Sequence, residues 1–214
     1  ITSVTMVSLI IYKNMTVFRT NVERKLSMKQ TVEHELHVED ILQASQTIKD
    51  VISPTPLQYN QVLSERYECN VYVRSFKARG AYNRIKKLRE KEIEEGVVCS
   101  SAGNHAQGVA YSCQLLKIKG KIFMPTTTPQ QKIKQVKFWG KEYVEVIIIG
   151  DTYDDAYHEA VKCCELEGRT FIHPFDDMDV IAGQGTIAVE ILNDCPKHID
   201  YMFAGIGGGG LISG

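Results

Sequence analysis

The sequence predicts an α/β protein, with parallel sheets covered by helices on both faces. Three observations carry that expectation. From Lys77 onward, short apolar runs alternate with amphipathic stretches. Those stretches are long enough to be the crossover helices of βαβ units. Helix stops and starts also fall at the joints, with Gly96 and Gly140 at helix ends and Thr128-Pro129 at a helix start.

The elements follow in order. The opening "ITSVTMVSLIIYKNMTVF" has an apolar run, Val7 to Tyr12, that is too short to span a bilayer. It also lacks the basic start and small-residue cleavage site of a secretory signal. Clear amphipathic order begins at Met28, so residues 1–27 are expected to lie outside the fold. From Val38 to Ile52, residues Ile41, Leu42, Ile48 and Val51 share a helical face, and Ser53-Pro54 stops the helix. "PTPLQYNQVLSERYECNVYV" reads as a loop, a short helix and a strand at 70–73. A helix is expected from Lys77 to Glu95, with Tyr82, Ile85 and Leu88 inward and Gly96 closing it. "VVCS" at 97–100 is a strand, and Asn104 to Leu116 a helix with Ala106, Val109, Ala110 and Cys113 on one face. "KIFM" at 121–124 is a strand, followed by a helix that Gly140 ends. "VEVIII" at 144–149 is a strand, and Thr152 to Glu167 a helix burying Ala156, Ala160, Val161 and Cys164. Strands "FIHP" (171–174) and "YMFAGI" (201–206), with a helix to Cys195 between them, complete the run.

Composition narrows the function. The 214 residues are 43% hydrophobic and 24% charged, an ordinary balance for one large domain or two small ones. With 25 basic and 26 acidic residues in no long block, the chain has no electrostatic footprint for nucleic acid. Its six cysteines form no CxxC pair, which removes support for a zinc or thioredoxin-like site, and no metal site is expected. Reduced thiols in a cytoplasmic protein are the simpler account. No membrane partner is expected either.

In a parallel sheet of this kind, ligands sit where strands lead into helices. Three such loops stand out. "GIGGGGLISG" (205–214) holds four consecutive glycines, which are costly in conformational entropy. They make sense where main-chain N–H groups must approach a ligand, and such a nest at a helix start binds anions, phosphate above all. A flexible turn is the plain alternative. Gly205, Gly207 and Gly210 also satisfy GxGxxG, which keeps a dinucleotide site open. In "SSAGNHAQG" (100–108), Ser101, Gly103 and the N–H groups of the helix start suit a carboxylate, and Asn104 offers an amide to a ring or carbonyl oxygen. Plain helix capping is the alternative for Asn104, and packing the alternative for His105. In "VRSFKARGAYNRI" (73–85), Lys77 stands at a helix start between Phe76 and Ala78-Arg79-Gly80. An exposed lysine in a first turn is the bland account. A phosphate nest, an amide-bearing loop and a lysine on a third loop are together what pyridoxal 5'-phosphate needs.

The stretches "SFKARGAYN", "SSAGNHAQGVAY", "FMPTTTPQQKIKQVKFWG", "IAGQGTIAVEIL" and "GIGGGGLISG", in that order, resemble the threonine dehydratase (threonine ammonia-lyase) family of fold type II pyridoxal-phosphate enzymes, most nearly its short bacterial biosynthetic forms. The resemblance runs from about Val38 to Gly214. It implies a two-lobed architecture, with residues 75–167 as the small lobe and 28–74 with 168–214 as part of the large one. It implies Lys77 as the Schiff-base lysine and Phe76 beside the cofactor ring. Asn104 would bond the ring hydroxyl, and Gly207, Gly208, Gly209, Gly210 and Leu211 would hold the phosphate. Ser101, Ala102, Gly103 and His105 would grip the substrate carboxylate. The implied reaction takes L-threonine, and L-serine as a second substrate, to a 2-oxo acid and ammonia in isoleucine biosynthesis. Homo-oligomers are the rule in the family. The sequence departs from the pattern where Val71-Tyr72 runs almost directly into Val73-Arg74-Ser75, and it reaches Gly214 where the helix behind the glycines should begin. Turnover is therefore expected to need segments beyond these residues. Serine racemase or another fold type II lyase is the alternative within the same chemistry. A non-catalytic nucleotide-binding module, or an inactive fragment, is the alternative outside it.

Overall fold

A computed structural model of the chain describes residues 10–12, 35–54, 58–59, 72–73, 76–195, 199 and 201–214. In chain order its elements are β1 (Ile10–Tyr12), α1 (Val38–Ile48), β2 (Gln58–Tyr59), β3 (Tyr72–Val73), α2 (Lys77–Lys86), α3 (Glu90–Glu95), β4 (Val97–Ser100), α4 (Asn104–Leu116), β5 (Gly120–Met124), α5 (Gln130–Gly140), a short 3-10 turn Lys141–Tyr143, β6 (Val144–Ile148), α6 (Tyr153–Glu167), β7 (Thr170–Phe171), α7 (Met178–Asp194) and β8 (Tyr201–Phe203). The expected short helix before β3 lies outside the described residues, as do Arg74 and Ser75.

The apolar runs after Lys77 form one four-stranded sheet in the order β6-β5-β4-β7, parallel throughout. The period-2 alternation of a strand sorts its side chains between two cores. Val97, Cys99, Ile122 and Met124 meet Ala106, Val109, Ala110 and Cys113 of α4 and Ile133 and Val136 of α5 on one face. Val98 and Phe123 meet Ala156 and Ala160 of α6 on the other. All four strands point the same way, so the loops that leave Ser100, Met124, Ile148 and Phe171 gather at one edge. That edge is where an α/β sheet places its ligands.

Four sequence expectations are corrected. The single helix expected over 77–95 is two helices, because Lys87 N–H closes onto the Arg84 carbonyl at 3.2 Å and Arg89 turns extended (ψ 160°). Arg89 N–H then donates to Glu92 Oε2 at 2.9 Å, which starts α3. "FIHP" is strand only to Phe171: Ile172 still donates to the Val98 carbonyl, but Pro174 has no N–H to continue. Leu42 is exposed on α1, whose buried residues are Ala44 and Ile48. The fourth concerns "YMFAGI". Its residues 201–203 pair antiparallel with Ile10–Tyr12, within the segment read as an extension, and not with the parallel sheet.

Helix α7 packs across α2 and fixes where Lys77 stands. A Cβ on Gly183 would fall 2.6 Å from the Gly80 Cα, so the two helix backbones touch there and only glycine fits. Beside this crossing, Arg79 Nη1 and Nη2 donate to Glu190 Oε1 and Oε2 at 2.6 and 2.8 Å. Arg79 Nη1 also donates to Thr186 Oγ1 at 3.1 Å. Asn83 Nδ2 donates to the Asp179 carbonyl at 2.7 Å, and Arg84 pairs with Asp177 at 2.9 Å. Among the described residues, no helix is long and apolar enough to cross a membrane.

Candidate functional site

Lys77 is the first residue of α2, after Phe76 in the N-cap position. Its side chain is half-buried, and Nζ donates to the Pro174 carbonyl at 2.8 Å, just past the end of β7. Burial pulls its pKa below the ordinary lysine value, so a neutral amine costs less here than in water. Nζ lies 5.1 Å from the centre of the Phe76 ring. That ring is 7% exposed and packs with Ile187, Ile191, Ala204 and Leu211. Phe76 thus ties the start of α2 to the far end of the glycine loop.

The four glycines divide by position. At Gly207 and Gly209 an added Cβ would meet nothing within 4 Å, and Gly209 has φ +87°, a conformation that side chains resist. At Gly208 a Cβ would fall 2.2 Å from the Phe175 ring, and at Gly210 it would fall 2.9 Å from Phe175 main-chain atoms. The sequence attributed all four glycines to ligand approach. Phe175 demands two of them, and the other two border open space. Ser213 N–H donates to the Gly209 carbonyl at 3.1 Å, one turn after the nest.

The Ser101–His105 loop leaves β4 at the same edge. Ser101 N–H donates to the Phe123 carbonyl at 3.1 Å, and its Oγ accepts from Gly103 N–H at 3.2 Å. Ala102 and Gly103 are half-buried, and a Cβ on Gly103 would meet nothing within 4 Å. Gly103 is the N-cap of α4 and supplies no side-chain cap, while Asn104 is the first helical residue, exposed. Plain capping is therefore not what Asn104 does. His105 turns inward: it is 3% exposed, its Nε2 donates to the Ile172 carbonyl at 2.9 Å, and Nδ1 has no partner. Burial pushes its pKa down to about 4, so the ring is neutral. One turn on, a Cβ at Gly108 would come 3.0 Å from the Ala78 Cα, so α4 and α2 approach closely beside Lys77.

The fold thus brings Lys77, Phe76, the glycine loop and the start of α4 to one strand edge. Three residues there were not singled out from the sequence. Pro174 and Phe175 touch Lys77 and the glycines, and His173 Nδ1 accepts from Asp176 N–H at 2.7 Å. Only their place in a strand-to-helix loop marked them. A half-buried amine, open glycine positions among main-chain amides, and a second open loop at Gly103 suit a small phosphorylated aldehyde. The residues fit pyridoxal 5'-phosphate.

Comparisons agree in direction. The family model described as "Pyridoxal-phosphate dependent enzyme" matches residues 48–214. The biosynthetic L-threonine dehydratase IlvA of Halalkalibacterium halodurans is 61% identical over 188 residues, 84% of this chain and 45% of the relative. That of Bacillus subtilis is 59% identical over 187 residues, 84% of this chain and 44% of the relative. The chain thus spans less than half the length of these curated relatives. Among solved structures, the processed form of threonine deaminase isoform 2 from Solanum lycopersicum has a TM-score of 0.65 at 37% identity, covering 82% of this chain and 55% of its own. Maize serine racemase has a TM-score of 0.74 at 27% identity, covering 84% and 56%.

Proposed function

The chain belongs to the pyridoxal-phosphate dependent enzyme family, with a fold type II architecture, and on that premise we propose that it carries the lysine and phosphate sites of an enzyme that dehydrates and deaminates L-threonine to 2-oxobutanoate and ammonia. The observation that carries this is the Lys77 amine, half-buried on the Pro174 carbonyl in the loop whose Phe175 backs the glycines. The identity to two biosynthetic threonine dehydratases supports L-threonine as the substrate; L-serine stands second on the family resemblance alone.

When bound, pyridoxal phosphate supplies an aldehyde for an amine and a ring that takes up electron density from the substrate carbon. The Lys77 Nζ, whose burial lowers the cost of a neutral amine, takes the substrate Cα proton. The main-chain N–H groups from Gly207 to Leu211 hold the phosphate, and Asn104 donates its amide to the ring oxygen. Ser101, Ala102, Gly103 and His105 take the substrate carboxylate; His105 acts through its main-chain N–H, its ring being turned inward. Phe76 holds the start of α2 beside the ring. We assign residues 75–167 to a small lobe and 28–74 with 168–214 to a large one, with the site between them. We take the assembled protein to be a cytoplasmic homo-oligomer, as the resemblance to the family implies.

The test is 2-oxobutanoate formation from L-threonine, by the chain alone and by the chain joined to the remaining half of a curated relative. Turnover in the joined form, with little in the chain alone, is the expected result. A joined form that binds the cofactor but converts L-serine to D-serine, and not threonine to 2-oxobutanoate, would replace this function by a racemase. Asn104→Ala checks the ring contact. Because Asn104 is exposed and caps nothing, stability should move by no more than about 0.5 kcal/mol. The absorption of the bound cofactor should shift; an unchanged spectrum and affinity would remove Asn104 from the site.

A further inference from the structure

The segment His173–Asp176 joins the two halves of the candidate site. Its Pro174 carbonyl holds Lys77 Nζ at 2.8 Å, and Phe175 backs Gly208 and Gly210. One side chain closes the segment into a turn. His173 Nδ1 accepts from Asp176 N–H at 2.7 Å and from Phe175 N–H at 3.4 Å. The His173 ring also stands edge-on to Phe175, with centres 4.6 Å apart. We propose that His173 is the positioning residue of this site: its imidazole fastens the turn that sets Lys77 in register with the glycine loop. The proposal rests on the cofactor site described above.

The chemistry of the ring makes the fastener conditional. Accepting two N–H groups at Nδ1 requires a lone pair there, so the proton belongs on Nε2. A protonated imidazole carries hydrogens on both nitrogens and would turn a donor toward two donors. The charged and titratable groups around it are Asp176 and Asp177 from its own loop, Lys77 from α2 and His105 from α4. Burial lowers the His173 pKa, the two aspartates oppose this, and Lys77 adds to it, with a net shift downward. The turn is therefore fastened above the ordinary imidazole value and released as pH falls through the lowered one.

The experiment follows the visible absorption of the chain titrated with pyridoxal phosphate between pH 5.5 and pH 8, for wild type, His173→Asn and His173→Leu. Asparagine keeps an acceptor oxygen near Nδ1 and does not titrate; leucine keeps bulk and loses the acceptor. At pH 8, His173→Asn should bind within about threefold of wild type and His173→Leu about tenfold more weakly. Lys77 is present in both wild type and His173→Asn, so most of its own titration cancels from their affinity ratio. That ratio should fall with pH, wild type weakening more. A ratio that does not move with pH overturns the proposal even if His173→Leu fails to fold, which circular dichroism would show. Absence of any band in wild type at all pH values instead overturns the cofactor site itself, and the proposal with it.

Discussion

Lys77→Ala should abolish the visible band of lysine-bound pyridoxal phosphate and, in the joined form, lower 2-oxobutanoate formation by roughly a thousandfold or more. Lys77 alone among the described lysines is the first residue of an α-helix at the strand edge with its amine on the loop that backs the glycines. Lys121 is tied to Glu167 near the opposite end of β5, and Lys132 lies on α5. Alanine is a good helix former, and the lost bond to the Pro174 carbonyl is a single one, so the fold should survive and the defect be chemical. Lys77→Arg should be no rescue, because guanidinium stays charged and neither holds an aldehyde nor takes a proton. A variant without Lys77 that kept both band and turnover would move the chemistry elsewhere.

Arg79→Met should cost stability rather than chemistry. Arg79 is 1% exposed and bonds both Glu190 oxygens and Thr186, spanning α2 and α7 two residues after Lys77. Methionine fills the space but takes both of these bonds from the Glu190 carboxylate. Removing one partner of a buried pair costs about 3–5 kcal/mol, and Glu190 keeps 19% of its exposure, which points to the low end, about 3 kcal/mol. Urea unfolding reads this as a lower midpoint. The double change Arg79→Met with Glu190→Leu should recover much of the loss, because an apolar pair strands no charge. If the single variant loses under 1 kcal/mol, the clamp is not what holds α2 on α7.

The parts of the fold set by local pattern were legible. α4 runs from Asn104 to Leu116 and β4 from Val97 to Ser100 as periodicity and punctuation predict. What failed depends on partners distant in sequence. Leu88 follows Ile85 by three residues whether the chain continues as helix or turns, so the break at 87–89 leaves no trace in the apolar pattern. Buried Arg79 reads as an ordinary helix-surface charge until Glu190, 111 residues on, is placed against it. The glycine loop shows the same limit at the site. Its composition says that a Cβ is unwelcome, but not that Phe175 excludes it at Gly208 while Gly207 borders open space. Lys77 and Asn104 could be picked out because each opens a helix after a loop. His173 could not, since its partners are main-chain N–H groups of its own turn, which sequence does not display.

The most direct test of the cofactor site is to load the chain with pyridoxal phosphate, reduce with borohydride and map the modified peptide. A single stable adduct on Lys77, within the peptide containing Phe76 and Ala78, is the predicted result. An adduct on Lys121 or Lys132, with none on Lys77, would contradict it.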